Sequence, residues 1–372
     1  MDTLRKLAVV RVLVLGGSGN FGARIARALQ GEPAIDLVVA SRRAASVPDS
    51  EGIPSVALNV DAADLADQLA AVAPGLVIHC VGPFQGQDYR VAHAALQSGA
   101  HYLDLADGRD FVAGFSASAD AMARNADRIA ITGASTLPAL SSAVIDALRK
   151  SFLTIERIAV AIAPGQRAPR GVATLEAVFS YLGRPFPVWR GGRWRRVWGW
   201  MDLRRLRFDS GTRWAAACDV PDLGLFPARY PGSRDAEFHA ALEFGIQHFA
   251  LWLLAAVRRL GLPMDVGSWA VRLNGAAAIF DRWAEEWGGM RVSIEGVRRN
   301  GVRSCRTWQL SAPALHGPEI PCIPTILLAR RIARGTVAER GAHPCVGFLD
   351  LADFEPEFAR WGIRTRVEDE PG

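Results

Sequence analysis

The chain has 372 residues, half of them hydrophobic and 22% charged, which excludes extended disorder and gives length for about two domains with cores of their own. A formal net charge of +5 favours anionic ligands but is too mild to require nucleic acid, and none is expected as a partner. Cys80, Cys218, Cys305, Cys322 and Cys345 show no CxxC pair and no His-interleaved spacing, so neither a metal site nor a disulfide framework is expected and reduced cytoplasmic thiols are the simplest reading.

Arg5 and Lys6 before the apolar run Leu7–Leu15 imitate a secretion leader, but Arg11 interrupts the run and it enters a glycine turn rather than a cleavage site, so a first strand is expected. From there to about residue 150, short β-branched runs alternate with helical spacing, the arrangement of successive βαβ units. Strands are predicted near 9–15, 36–41, 54–59, 76–80, 101–105 and 128–132, with helices near 20–30, 62–72, 88–98 and 112–126. Another helix is expected to start at Ser141, with Ser141 as its cap.

Beyond residue 150 the pattern changes. Ile155–Ala163 reads as a half-buried strand, Thr174–Leu182 as a helix, and 186–215 as Trp- and Arg-rich strands or loops. Ala240–Leu260 is predicted as the longest helix of this part; its apolar core Phe249–Val257 is too short to span a bilayer and reads as buried. Asn300-Gly301 between Arg291–Arg298 and Val302–Leu310 signals an antiparallel hairpin with a type I′ turn. A Pro-punctuated loop at 318–324, a helix to about Arg334 and an apolar run at 345–351 follow.

The fold class expected is α/β: an N-terminal Rossmann domain (1–150) with a doubly wound parallel sheet, then an α+β substrate and dimerisation domain (151–320) with an antiparallel or mixed sheet. A C-terminal segment (321–372) is expected to return to the Rossmann domain.

Gly17-Ser18-Gly19-Asn20-Phe21-Gly22 matches G-x-G-x-x-G directly after Val12–Leu15 and at the opening of a helix, where that motif cradles a pyrophosphate. Gly17 is expected to permit the tight turn, Gly19 to admit the phosphates and Gly22 to let helix and strand pack closely, with Gly16 leading in. The second strand ends in Ser41-Arg42-Arg43 with no carboxylate at its tip, since Asp36 lies at its start; an Arg there suits a 2′-phosphate, so NADP is favoured over NAD. Asp61 either accepts a hydrogen bond from adenine or caps the next helix. The loops after the fourth and fifth strands, 81–87 and 104–110, should reach the reactive half of the cofactor, lined by Cys80, Val81 and Gly82.

Val12–Leu29, His79-Cys80-Val81-Gly82-Pro83-Phe84-Gln85 and Gly99–Asp107 resemble the saccharopine dehydrogenase-like NADP-binding family. The resemblance continues at Gly288-Gly289-Met290, Gly317–Pro321 and Gly341–Gly347, and is weakest over about 165–285. It implies a Rossmann domain, a substrate domain and hydride transfer with a nicotinamide cofactor, without fixing the substrate.

Reduction of an imine or ketone also needs a proton donor; Asp104, with Tyr102 beside it, is the first candidate, and a structural carboxylate is its alternative. His101 reads as a half-buried strand residue and His316 as a turn residue. The expected function is an NADP-dependent oxidoreductase acting on a small or medium organic molecule (imine, ketone or activated olefin), in the cytoplasm and as a homodimer. The rival is an NADP-binding sensor or scaffold without turnover, touching a membrane surface; the Trp/Arg-rich stretch 189–207 fits strands with one buried face as well as such a contact.

Overall fold

A computed structural model describes residues 9–44, 52–169, 171–261, 269, 275 and 277–371. Arg5 and Lys6 of the leader-like run lie outside these residues. No helix among the described residues is long and apolar enough to cross a membrane.

In chain order, β1 (Val10–Leu15), α1 (Asn20–Leu29), β2 (Ile35–Ser41), β3 (Ser55–Ala57), α2 (Leu65–Val72) and β4 (Leu76–His79) come first. Then follow α3 (Arg90–Gln97), β5 (His101–Asp104), α4 (Arg109–Asn125), β6 (Ile129–Thr132) and α5 (Ser141–Leu148). The next part carries β7 (Phe152–Ala163), α6 (Val172–Tyr181), β8 (Pro185–Trp189), β9 (Trp194–Trp198), β10 (Arg204–Phe208) and β11 (Gly211–Ala217). It continues with α7 (Asp222–Arg229), β12 (Asp235–Ala241), α8 (Gly245–Arg259), β13 (Trp287–Arg298) and β14 (Arg303–Pro313). The last elements are α9 (Ile323–Ala333), β15 (Gly341–Pro344), α10 (Leu351–Arg360) and β16 (Arg364–Pro371).

Seven parallel strands form the first sheet in the order β15-β6-β5-β4-β1-β2-β3. The first six strands thus follow the doubly wound order, which reverses direction between β1 and β4. Helices pack on its strands, so Val12, Leu13, Val14, Ile78, Leu103 and Ile131 are wholly buried, as continuous apolar runs require. The C-terminal segment supplies the seventh strand, β15 beside β6.

The second sheet is mixed and runs β10-β11-β12-β7-β13-β14-β16, with the β8–β9 hairpin attached through β12. Only β12 and β7 pair in parallel. Asp209, just past β10, accepts hydrogen bonds from Ser311 of β14 and Arg366 of β16, so the two ends of this strand order curl toward each other.

The chain clusters into two compact units. One gathers the described residues up to Asp107, Phe111–Thr136 and Glu319–Val346; the other gathers Gly108–Asp110, the described residues of Leu137–Pro318, and those from Gly347 onward. Residues 137–150, grouped by the spacing with the first domain, fall in the second unit because α5 packs on β13 and β14. Residues 347–371 likewise follow β16 onto the second sheet.

Four local expectations change. Ser141 does not cap α5: it is the first helical residue, and its hydroxyl turns back to the Pro138 carbonyl. Ala240 and Ala241 belong to β12, and α8 starts at Gly245. Nor is Phe249–Val257 buried as a whole, since Phe249 is 40% and Leu253 58% exposed. The Asn300-Gly301 hairpin forms, but only Gly301 takes positive φ (+83°), so the turn is not type I′, which needs both central residues there.

Candidate functional site

The turn between β1 and α1 is held from below by β2. Gly16 and Gly17 donate backbone N–H groups to the Ala40 carbonyl at 2.8 and 3.2 Å, and Gly19 closes the turn onto Gly16 at 2.9 Å. The left-handed residue is Gly16 (φ +78°) rather than Gly17. Gly17 is needed for another reason: a Cβ there would lie 2.5 Å from the Val39 side chain. A Cβ on Gly22 would stand 2.2 Å from the Gly16 carbonyl oxygen, so this glycine lets α1 sit directly on the turn.

Gly19 differs. A Cβ there would meet only the Gly16 oxygen, at 3.2 Å, and the residue is exposed, so its side-chain direction faces open space. Gly19 is also the N-cap of α1; no side chain caps the helix and no acid stands in its first turn. The positive end of the α1 dipole is therefore presented without an opposing carboxylate in that turn, the arrangement that receives phosphate. Ser18, Asn20 and Phe21 are half-buried around it. The Asn20 amide oxygen is engaged by Arg24, which is itself ion-paired with the buried Glu319 at 2.9 Å.

Ser41 ends β2, and Arg42 and Arg43 follow in an exposed turn with no carboxylate within 4.0 Å of either among the described residues. Asp36 at the other end of the strand is committed to Arg11 at 2.7 Å. Asp61 is exposed, and α2 begins only at Leu65 with Asp64 in the cap position, so the capping alternative for Asp61 falls away.

On the other side of the strand-order reversal, Cys80 continues from β4 with its N–H on the Leu15 carbonyl at 3.0 Å. A Cβ on Gly16 would lie 3.1 Å from Val81, so Cys80 and Val81 border the glycine turn directly. The Gln87 amide donates to the carbonyls of Val81 and Pro83 at 2.9 and 2.7 Å and so fixes the path around Gly82. Burial pushes the Cys80 thiol up, so it stays protonated. Gln87 had no signal in the sequence, because an amide reaching back along its own loop leaves no spacing pattern.

Asp104 and Tyr102, the candidate proton donors, are both 0% exposed. Neither presents an accessible atom in this structure. Asp104 Oδ1 accepts from Thr132 Oγ1 (2.9 Å), Gly133 N–H (2.8 Å) and Ala106 N–H (2.9 Å), which ties the ends of β5 and β6 together. Burial pushes the carboxyl up to about 6, opposed by those three donors and by the Tyr102 hydroxyl. The Tyr102 hydroxyl lies 3.0 Å from His79 Nδ1, and burial holds that imidazole neutral, down to about 3. His101 accepts the Ile129 N–H and is half-buried.

In the 189–207 stretch, Trp189 pairs with Trp194 across the β8–β9 hairpin, and Arg190 is ion-paired with Asp202 and Glu237 at 2.7 Å each.

Residues 12–147 match the family model described as the saccharopine dehydrogenase NADP binding domain. No curated protein matches the chain. Among solved structures, the saccharopine dehydrogenase (L-Glu forming) of Saccharomyces cerevisiae is 12% identical with a TM-score of 0.67, over 97% of this chain and 99% of that one. The homospermidine synthase of Legionella pneumophila, in complex with NAD, is 10% identical with a TM-score of 0.59, over 96% and 91%. The C. glutamicum DAP dehydrogenase in complex with DAP is 16% identical with a TM-score of 0.50, over 93% and 98%. At these identities the likeness is one of fold.

Proposed function

Since residues 12–147 match the model of the saccharopine dehydrogenase NADP binding domain, we propose that the chain is an NADP(H)-dependent oxidoreductase of a small or medium organic substrate: an imine, a ketone or an activated olefin. The observation that carries this reading is the contrast within the glycine turn. Gly17 and Gly22 are glycines because the protein itself fills the space, whereas at Gly19 a Cβ would meet only one atom, the Gly16 oxygen at 3.2 Å, beside an uncapped helix N-terminus. A dinucleotide pyrophosphate has the charge and dimensions for that place.

A bound nicotinamide supplies the hydride. The chain's own residues hold it: Gly16–Gly22 the pyrophosphate, Ser41, Arg42 and Arg43 the adenosine 2′-phosphate, Asp61 the adenine, and Cys80–Gly82 the path toward the nicotinamide. Asp104 is a positioning residue that keeps the β5 and β6 ends in register. The partners in this reading are a small-molecule substrate and a second copy of the chain, with no nucleic acid, and the compartment is the cytoplasm. Titration of the purified protein with NADPH and NADH, followed by nicotinamide fluorescence, tests it: NADPH binds more tightly, and equal binding overturns the NADP assignment.

One observation favours a second reading, an NADP-binding sensor without turnover: Asp104 and Tyr102, the proton-donor candidates on β5, are both wholly buried. A tight NADPH complex that consumes no cofactor across carbonyl, imine and enoyl panels would establish it.

A further inference from the structure

The second sheet carries a polar face that the cofactor site does not use. Residues directly paired across antiparallel strands share a face, and two such rows are Arg291, Gln309 and Arg366, then Ser293, Thr307 and Glu368. Ser293, Thr307 and Gln309 are 6%, 1% and 2% exposed, a polar surface sheltered from water. The Asp209 bonds to β14 and β16 bring β10 toward these rows. Between them lies a cavity of about 360 Å³ lined by Arg207, Arg291, Gln309, Glu368, Asp369 and Glu370. That volume is at the lower end of small-molecule sites.

Charge accounting inside the cavity leaves a remainder of both signs. Glu368 is taken by Arg366 and by the Gln309 amide, and Asp369 by Arg298 and Arg306. Arg291 reaches only the hydroxyls of Ser293 and Thr307, at 3.0 and 3.4 Å. Among the described residues, neither Arg207 nor Arg291 has a carboxylate within 4.0 Å, and Glu370 has no cation within that distance. Gln309 Oε1 is fully buried with no hydrogen-bond partner. A sheltered guanidinium without a counter-charge and an orphaned buried acceptor both call for a ligand group.

We propose that this cavity binds a small zwitterion, with Arg207 and Arg291 taking its carboxylate and Glu370 with Gln309 Oε1 taking its protonated amine. A simple anion would leave Glu370 unpaired and a simple cation would leave Arg207 and Arg291 unpaired, so only a molecule carrying both charges pairs each of these groups without a new repulsion. The site uses no residue of the glycine turn and needs no nicotinamide, so its failure would leave the cofactor reading untouched.

The test uses the full chain without cofactor and five probes: glycine, 4-aminobutyrate and 6-aminohexanoate as zwitterions of increasing charge separation, with butyrate and butylammonium as singly charged controls. Binding is read by saturation-transfer NMR and by thermal shift. At least one zwitterion should bind at millimolar concentration and more tightly than both controls, and Arg291→Gln should weaken it about tenfold or more. Arg207→Gln, on an exposed edge position, serves where the first variant folds poorly, and should weaken the same probe. No binding by any zwitterion, butyrate binding as tightly as 4-aminobutyrate, or unchanged affinity in a folded Arg→Gln variant would each overturn the proposal. So would sedimentation showing a dimer that Arg291→Gln dissociates, since the face would then belong to an interface between copies.

Discussion

The two sheets place their polar chemistry differently. In the first, helices lie on the strands and leave Val12, Leu13, Ile78 and Ile131 no water contact, so polar groups concentrate where the strands end. In the second, β13 alternates Met290, Val292 and Ile294 against Arg291, Ser293 and Glu295, and the face of the sheet itself is polar. A parallel sheet covered on both sides offers a ligand only its strand ends and turns, while a sheet with one polar face can also build a site from side chains in mid-strand.

The largest effects should come from the first sheet's turn. Gly22→Val forces a Cβ to within 2.2 Å of a backbone oxygen, so the variant should lose roughly 3 kcal/mol or fail to fold, read by thermal denaturation. Gly19→Val should keep its melting temperature within a few degrees, yet lose NADPH affinity by about 100-fold or more, because its side chain fills the pyrophosphate's place. If the two variants behaved alike, Gly19 would be as structural as Gly22 and the turn would have no ligand-facing side.

The second unit carries a buried acid of its own, which should show in the pH dependence of stability. Asp222, at the start of α7, is 1% exposed, and burial pushes it up to about 7 against the opposing pull of the Ser141 hydroxyl. A carboxyl whose folded-state pKa lies above its unfolded value gives stability that is full at acid pH and is lost as pH rises through about 7. Asp222→Asn should therefore gain on the native protein between pH 5 and pH 8, by on the order of a few kcal/mol. Parallel pH profiles of the two proteins would remove Asp222 as the titrating group.

How much of this was legible in the sequence follows from the range of the interactions. The glycine turn, its strand and its helix lie within about twenty consecutive residues, and spacing alone located them. The parallel pairing of β12 with β7 was hidden: Ala236–Ala241 is rich in small residues, and Ala240 and Ala241 were read into the following helix. Its strand identity comes from a partner far away in the chain. Asp104 shows the same limit in one side chain. Its strand-end position was visible, but its burial depends on Thr132 and Gly133 closing over it from β6. Asp104→Asn separates a structural role from proton chemistry: it keeps the Oδ1 acceptor but turns the other carboxylate oxygen into a buried N–H donor. A stability loss of about 1–3 kcal/mol is expected with NADPH affinity retained. Full stability with a large loss of turnover would return Asp104 to the chemistry.

The smallest expected effect lies at the tip of β2. Arg42 and Arg43 stand exposed just after Ser41, and among the described residues no carboxylate lies within 4.0 Å of either, so each guanidinium can meet a 2′-phosphate but is also well solvated. Exposed charge pairs are weak, and a bidentate guanidinium–phosphate contact is stronger because two N–H groups bond at once. Arg42→Asp replaces that partner with a repelling carboxylate while leaving the strand intact. NADPH affinity should fall about tenfold and NADH affinity stay level or rise, because a carboxylate at this tip suits a free ribose 2′-hydroxyl. Arg43→Asp alone should do less if Arg42 is the nearer contact, and the double variant should reverse the preference. An Arg42→Asp protein that lost both cofactors equally would show the tip acting through general charge, and the choice between NADP and NAD would then rest elsewhere in the turn.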